Sequence, residues 1–238
     1  MSARRGYLPT EASSVGRIRV AVFEYTQWRR RWPEVVVQRR TDEAVELLTR
    51  YYAVTAAGRP AYSGSQFEAM AALNSDPYSI GPADFTAASM LSVDIPAQAA
   101  IRLLSRDANK ITALLRQIPV NVDIVTIDSD DLVSGGPASL LWQLLRRGND
   151  GMGRTRTSKL IAAKRPRLIP IWDSFVEQAT GLDTVDYWRQ FQAVLAADDR
   201  AIWTWLTQIR SDVPHMPAAV SNLRILDVLL WMTVDRQR

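Results

Sequence analysis

The 238-residue chain has no cysteine and a single histidine, His215. The first absence excludes disulfides, thiolate zinc sites, iron–sulfur clusters and cysteine nucleophiles together. The second leaves one imidazole for any histidine-based metal site or Ser-His-Asp triad. That imidazole stands in Val213-Pro-His-Met-Pro217, a turn composition, and reads as a loop residue. No metal site is expected. Long apolar runs are missing too: nothing approaches the ~18 residues of a membrane-spanning helix, so no membrane partner is expected. The opening segment, MSARRGYLPTEASS, lacks the apolar stretch of a secretory signal. It reads as a flexible arm over residues 1–16 of a cytoplasmic protein.

What remains is the composition of an ordinary globular protein, 47% hydrophobic and 23% charged, long enough to bury a sizeable core. Residues 17–25 alternate partly between apolar and polar, and residues 34–39 are β-branched, so two short strands are expected there. Helical periodicity dominates thereafter. Helices are expected at 41–53, 66–73, 82–91, 96–118, 137–147, 155–164, 174 onward, 184–196, 199–210 and 221–234. Residues 122–128 read as a strand or an extended link. The expected fold is mainly α, a single compact domain over residues 17–238, with a small mixed α/β N-terminal region and a helical hairpin at 140–165.

Charge is concentrated in one place. Residues 146–167 carry Arg146, Arg147, Arg154, Arg156, Lys159, Lys164, Arg165 and Arg167 against one acid, Asp150. That window is +7 in a chain of net charge +4, which leaves −3 for the rest. Inside it, Gly148, Gly151 and Gly153 form a tight turn ahead of a helix. Backbone N–H groups at such a start make an anion site. Arg154, Arg156 and Lys159 cluster at that start against the helix dipole, which costs the helix roughly a few tenths of a kcal/mol each unless an anion sits nearby.

The stretch Gly151-Met-Gly-Arg-Thr-Arg-Thr-Ser-Lys-Leu160, followed by Pro170-Ile-Trp-Asp173, resembles the helix-hairpin-helix and Gly/Pro-Asp motif of the base-excision DNA glycosylase superfamily. The resemblance covers residues 147–176. It implies that Gly151, Gly153 and the backbone near Arg154, Thr155, Arg156 and Lys159 bind a DNA phosphate. In that superfamily a monovalent cation often assists; no other cofactor is implied. It also implies that Asp173 faces an extruded nucleoside in a DNA repair reaction. Two departures stand out. The position of the imine-forming lysine of bifunctional members is Thr155, which argues against lyase chemistry, with Lys159 expected one turn later on another face. The Leu-Pro that leads the family's hairpin is Asn149-Asp150 here.

Tyr62-Ser-Gly-Ser-Gln-Phe67, Phe85-Thr-Ala-Ala-Ser-Met-Leu91, the Lys159–Asp173 stretch and Leu223-Arg-Ile-Leu-Asp-Val-Leu-Leu-Trp-Met232 are similar to an uncharacterised, mostly actinobacterial family, over nearly the whole chain. That likeness carries no activity. Three functions stay open: a monofunctional DNA glycosylase using Asp173, a DNA-binding module without chemistry, and an interaction domain for another polyanion. Asp173 also has a simpler role available, the N-cap of the helix that Ser174 opens, where Ser174 and Glu177 have capping-box spacing. Trp142, Trp188, Trp203, Trp205 and Trp231 fall among apolar helical residues and are assigned to the core. Trp172 adjoins Asp173, where it would help to line a base pocket. Trp28 and Trp32, interleaved with Arg29, Arg30 and Arg31, fit a solvated face better than a stacking patch.

Overall fold

A computed structural model describes residues 25–128, 132 and 134–235. The arm at 1–16 and all but the last residue of the strand expected at 17–25 lie outside them; that last residue, Tyr25, opens the first helix. Among the described residues there are twelve α-helices and no strand. In chain order they are α1 (Tyr25–Arg31), α2 (Glu34–Val37), α3 (Thr41–Tyr52), α4 (Phe67–Ala71), α5 (Pro82–Met90) and α6 (Ala97–Leu104). They continue with α7 (Ala108–Leu115), α8 (Pro137–Arg146), α9 (Arg154–Lys164), α10 (Ser174–Thr180), α11 (Tyr187–Ile209) and α12 (Asn222–Asp235).

The helices pack in two groups. Helices α1, α2 and α3 from the front of the chain pack with α10, α11 and α12 from its end. Helices α4 to α9 pack mainly among themselves. One hydrophobic core runs through both groups. Its axis is α12, where Leu223, Ile225, Leu226, Val228, Leu229, Leu230, Met232 and Val234 are all buried. A helix apolar on every side belongs in an interior, and each such side chain contributes about 1.5–3 kcal/mol on burial. The link from α9 to α10 crosses from one group to the other, so Asp173 stands where the chain re-enters the first group.

Three expectations are corrected. Residues 34–39 are not a strand: Glu34–Val37 form one helical turn after Pro33, with Val35 and Val36 both buried. Adjacent residues of a strand point to opposite faces, whereas one turn docked against α3 and α12 buries both, and packing overrides β-branched propensity. The single helix expected at 96–118 is two, broken at Ser105-Arg106-Asp107. The Asp107 carboxylate is fully buried and bonds Arg102 and Arg147, a use that a continuous helix would not offer it. Trp28 and Trp32 are neither a solvated face nor a stacking patch: both are core residues, 2% and 3% exposed, packed edge to face.

Other boundaries follow the sequence closely. Two helices around residue 197 appear as one α11 with a kink, where Ala197–Arg200 leave helical geometry. Residues 122–128 are a link, tied by Ile124 N–H to the Arg167 carbonyl at 3.0 Å. His215 sits in an exposed turn.

Candidate nucleotide-binding cavity

The hairpin turn is held from behind by one side chain. Arg102, 5% exposed, donates to both Asp150 oxygens (2.6 and 3.2 Å), to Asp107 (2.8 Å), and to the carbonyls of Leu144 and Leu145 at the end of α8 (3.2 and 2.8 Å). Those carbonyls have no partner within the helix. Gly148 is glycine because a Cβ there would overlap Arg102 Nε and Asp150 Oδ2. Gly151 has φ +85°, the left-handed region, and a Cβ on it would lie 3.0 Å from Pro96 Cγ. A Gly151→Ala variant is therefore expected to lose about 1–2 kcal/mol of stability, seen as a lower urea midpoint with an unchanged slope. Gly153, the N-cap of α9, has open space beside its Cα and no left-handed backbone, so Gly153→Ala is expected to leave the midpoint in place.

The basic window is far less of a charged patch than its sequence suggests. Arg165 is fully buried, with all its hydrogen bonds to the carbonyls of Ile118, Pro77, Lys164 and Leu115. Lys164 is buried against Asp84 (3.4 Å) and the Asp76 carbonyl. Arg147 pairs with Asp107, Arg167 with Asp123 and Arg154 with Asp183. Arg156 donates to the carbonyls of Asp94 and Gly151, while Arg146 lies over the Trp142 ring. The neutralising acids sit outside the 146–167 window, and so the fold brings the chain's −3 remainder to the +7 segment.

Lys159 overturns another expectation. Residues four apart share a helix face, and Thr155 and Lys159 line the same cavity. Lys159 Nζ, buried, lies 3.3 Å from Asp173 Oδ2 and donates to the Leu91 carbonyl at 2.8 Å. Asp173 is itself the N-cap: its Oδ1 accepts from Phe175 N–H (3.0 Å) and Val176 N–H (3.1 Å). The capping box expected from Ser174 and Glu177 does not form: the N-cap is Asp173, and Val176 at the third helical position has no acceptor to return the bond. Asp173 thus caps α10 with one oxygen and meets Lys159 with the other, beside the cavity that both residues line.

The link that carries Asp173 is fixed on three sides. Ser158 Oγ accepts Trp172 N–H at 2.6 Å, the Trp172 indole donates to Leu182 O at 3.0 Å, and the Tyr187 hydroxyl donates to Ile171 O. Trp172 is buried beneath the Arg154 guanidinium, 4.6 Å from its ring centroid, and is not part of the cavity wall.

The cavity is about 440 Å³ and lies between the hairpin, Asp173 and α12. Thr155, Lys159 and Asp173 line it. Its aromatic wall comes from four segments: Tyr51 on α3, Tyr62 in the loop that follows, Phe175 on α10 and Trp231 on α12. Tyr51 and Tyr62 stack at 5.2 Å and 10°, and Trp231 meets Tyr62 edge-on at 5.6 Å. Gly64 lets the Tyr51 hydroxyl approach, since a Cβ there would overlap it.

Beneath this wall lies a buried charge cluster that sequence reasoning missed. Arg224, 5% exposed, bonds Asp227, the Tyr51 hydroxyl (2.6 Å) and the Gly64 carbonyl (3.0 Å), with Glu68 at 3.4 Å. Burial pushes the Asp227 carboxyl up to about 6; Arg224 opposes this and the Asp173 charge adds to it. Burial likewise raises Glu68 against the pull of Arg224. The available signal was a charged i,i+3 pair, Arg224 and Asp227, inside an otherwise apolar helix, since charged residues are almost never fully buried unless paired.

Together these features define a mainly helical protein with a polar, aromatic-walled cavity between two groups of helices. The chain belongs to a family of unknown function (DUF6308), whose model matches residues 44–234. No curated protein and no solved structure matches it. No group of three or more His, Asp or Glu side chains able to hold a metal lies among the described residues. No described helix is long and apolar enough to cross a membrane.

Proposed function

We propose that the protein binds DNA at the start of α9, takes an extruded base into the aromatic-walled cavity, and cleaves the N-glycosidic bond beside Asp173. The observation that carries this reading is the continuity of the two sites. Thr155, in the first turn of α9, lines the same cavity as Asp173 and the aromatic wall. A phosphate held by the uncapped N–H groups that follow Gly153 would set its sugar at the cavity mouth and its base against Tyr62 and Trp231. The size also fits: about 440 Å³ falls within the roughly 300–1,000 Å³ of small-ligand pockets. Asp173 carries its charge where a developing oxocarbenium ion would stand. The likeness of residues 147–176 to the helix-hairpin-helix glycosylases points the same way.

One observation favours a second reading. With Arg147, Arg154, Lys159, Lys164 and Arg167 all paired to carboxylates, little of the window's charge is left for a polymer backbone, and the same cavity suits a free nucleoside. An assay of abasic-site formation in a panel of damaged-base duplexes, beside base release from free 2′-deoxynucleosides, separates the two. The DNA reading expects abasic product, with binding that weakens steeply as salt rises and weakens again in Gly153→Ala, whose methyl would obstruct the phosphate. Product from nucleosides alone supports the second reading. Product from neither substrate class contradicts both.

A further inference from the structure

We infer that the protein holds a water molecule in its interior, bound between Glu68, Arg224 and Asp227 behind the aromatic wall. The site is separate from the proposed chemistry and is the same whatever the cavity binds.

Glu68, on α4, is 7% exposed, and neither of its carboxylate oxygens has a hydrogen-bond partner among the described residues. Arg224, on α12, is in the same position at one atom. Its Nη1 donates to Asp227 and its Nη2 to the Tyr51 hydroxyl and the Gly64 carbonyl, which leaves Nε without an acceptor. Nε lies 3.4 Å from Glu68 Oε1, yet the two are not aligned for a direct bond. Buried polar groups are almost always hydrogen-bonded, and a bare one is costly, most of all on a charged side chain.

The two side chains border one void of about 10 Å³, which meets the roughly 10–15 Å³ that a single water needs. Nothing larger fits. Asp227 lines the void as well, and the other residues along it are all apolar. A buried water makes about three hydrogen bonds, and these three side chains supply them. Arg224 Nε–H donates to the water, and the two water hydrogens go to the carboxylates of Glu68 and Asp227. A metal cation of similar size is disfavoured by the guanidinium on the same wall.

Solvent is within reach. The void shares Phe67, Glu68 and Pro166 with an outer cavity of about 220 Å³, whose lining includes the exposed Ala72, Ser75 and Ala219. It also shares Ile171, Arg224 and Asp227 with the aromatic-walled cavity. Bound there, the water gives Arg224 its missing acceptor, and Arg224 is the side chain that holds the Tyr51 hydroxyl and the Gly64 carbonyl. Glu68 thus braces the aromatic wall through the water.

A high-resolution crystal structure of the wild-type protein tests this directly. Expected is a fully occupied water within hydrogen-bonding distance of Glu68, Arg224 Nε and Asp227. A direct Glu68–Arg224 bond with no density between the side chains overturns the site, as does a Glu68 side chain turned into the outer cavity. In solution, oxygen-17 relaxation dispersion counts the waters held for longer than the protein takes to tumble. Glu68→Met removes both carboxylate oxygens at similar side-chain length and is expected to lose one such water. Glu68→Gln, whose amide oxygen still accepts, is expected to keep it. An unchanged count in Glu68→Met contradicts Glu68 as the holder of the water. If Glu68→Met does not fold, the wild-type crystal structure decides.

Discussion

An Arg102→Met variant is expected to lose about 3–5 kcal/mol of folding stability, because it leaves the buried Asp107 and the half-buried Asp150 without their main partner. Total stability for a protein of this kind is about 5–15 kcal/mol, so the variant should be partly unfolded at modest urea. Methionine fills the space, and so the loss reports charge rather than a cavity. The side chain also bonds the Leu144 and Leu145 carbonyls, which would be left bare. Asp150→Asn keeps the shape and removes one charge, and should cost less. The same wiring sets an acid limit. Arg102 holds the Asp150 carboxyl below its ordinary value, and Arg102 with Arg147 does so for Asp107 against the upward push of burial. Their folded pKa values are depressed, so this stabilisation is complete above about pH 4 and is lost as pH falls through the folded values. Urea midpoints across pH 2 to pH 7 for wild type and Arg102→Met check both statements: the wild-type acid slope should be reduced in the variant.

The second large effect separates what Asp173 does for folding from what it does in the cavity. Asparagine caps helices about as well as aspartate, and its amide oxygen can accept from Phe175 and Val176 as the carboxylate does. It cannot carry the charge that faces Lys159 at 3.3 Å. Asp173→Asn is therefore expected to fold and bind duplex, while base release drops by roughly 10²–10³-fold, the loss seen when one preorganised electrostatic group is removed. Asp173→Ala should in addition lose about 1 kcal/mol from the missing cap. If Asp173→Asn released base at the wild-type rate, Asp173 would be a cap and a partner for Lys159 and nothing more. Circular dichroism and single-turnover kinetics on the same preparations distinguish these outcomes.

Much of this was legible in the chain, for identifiable reasons. Apolar periodicity marked most helices, and Pro82, Pro137 and the Asp173–Ser174 pair marked their starts. The glycine turn was placed correctly, yet Gly148 serves the approach of Arg102 rather than an anion. Pairing between distant segments was not legible. The +7 window looked like a surface because the acids that neutralise much of it are distant in sequence: Asp84 pairs with Lys164, Asp107 with Arg147, Asp123 with Arg167 and Asp183 with Arg154. The sequence reading puts Lys159 on a different face from Thr155, although four residues along a helix return to the same face, and both line the cavity. Trp28 and Trp32 sat among arginines in sequence, while one face of α1 turned both inward. The Arg224–Asp227 pair was visible as charge within an apolar helix, but its relation to Asp173 depends on how α10 packs on α12.

The proposed function requires that the cavity beside Asp173 receive an unstacked base. The most direct measurement is photocrosslinking of duplex DNA carrying one mispaired 5-iodouracil to Asp173→Asn protein, with the attached residue mapped by mass spectrometry. Attachment is expected at Tyr51, Tyr62, Phe175 or Trp231, lost when the α9 start is obstructed by Gly153→Ala. Attachment only at residues outside the cavity, such as Trp142 or Trp203, or yields indifferent to the Gly153 substitution, would contradict it.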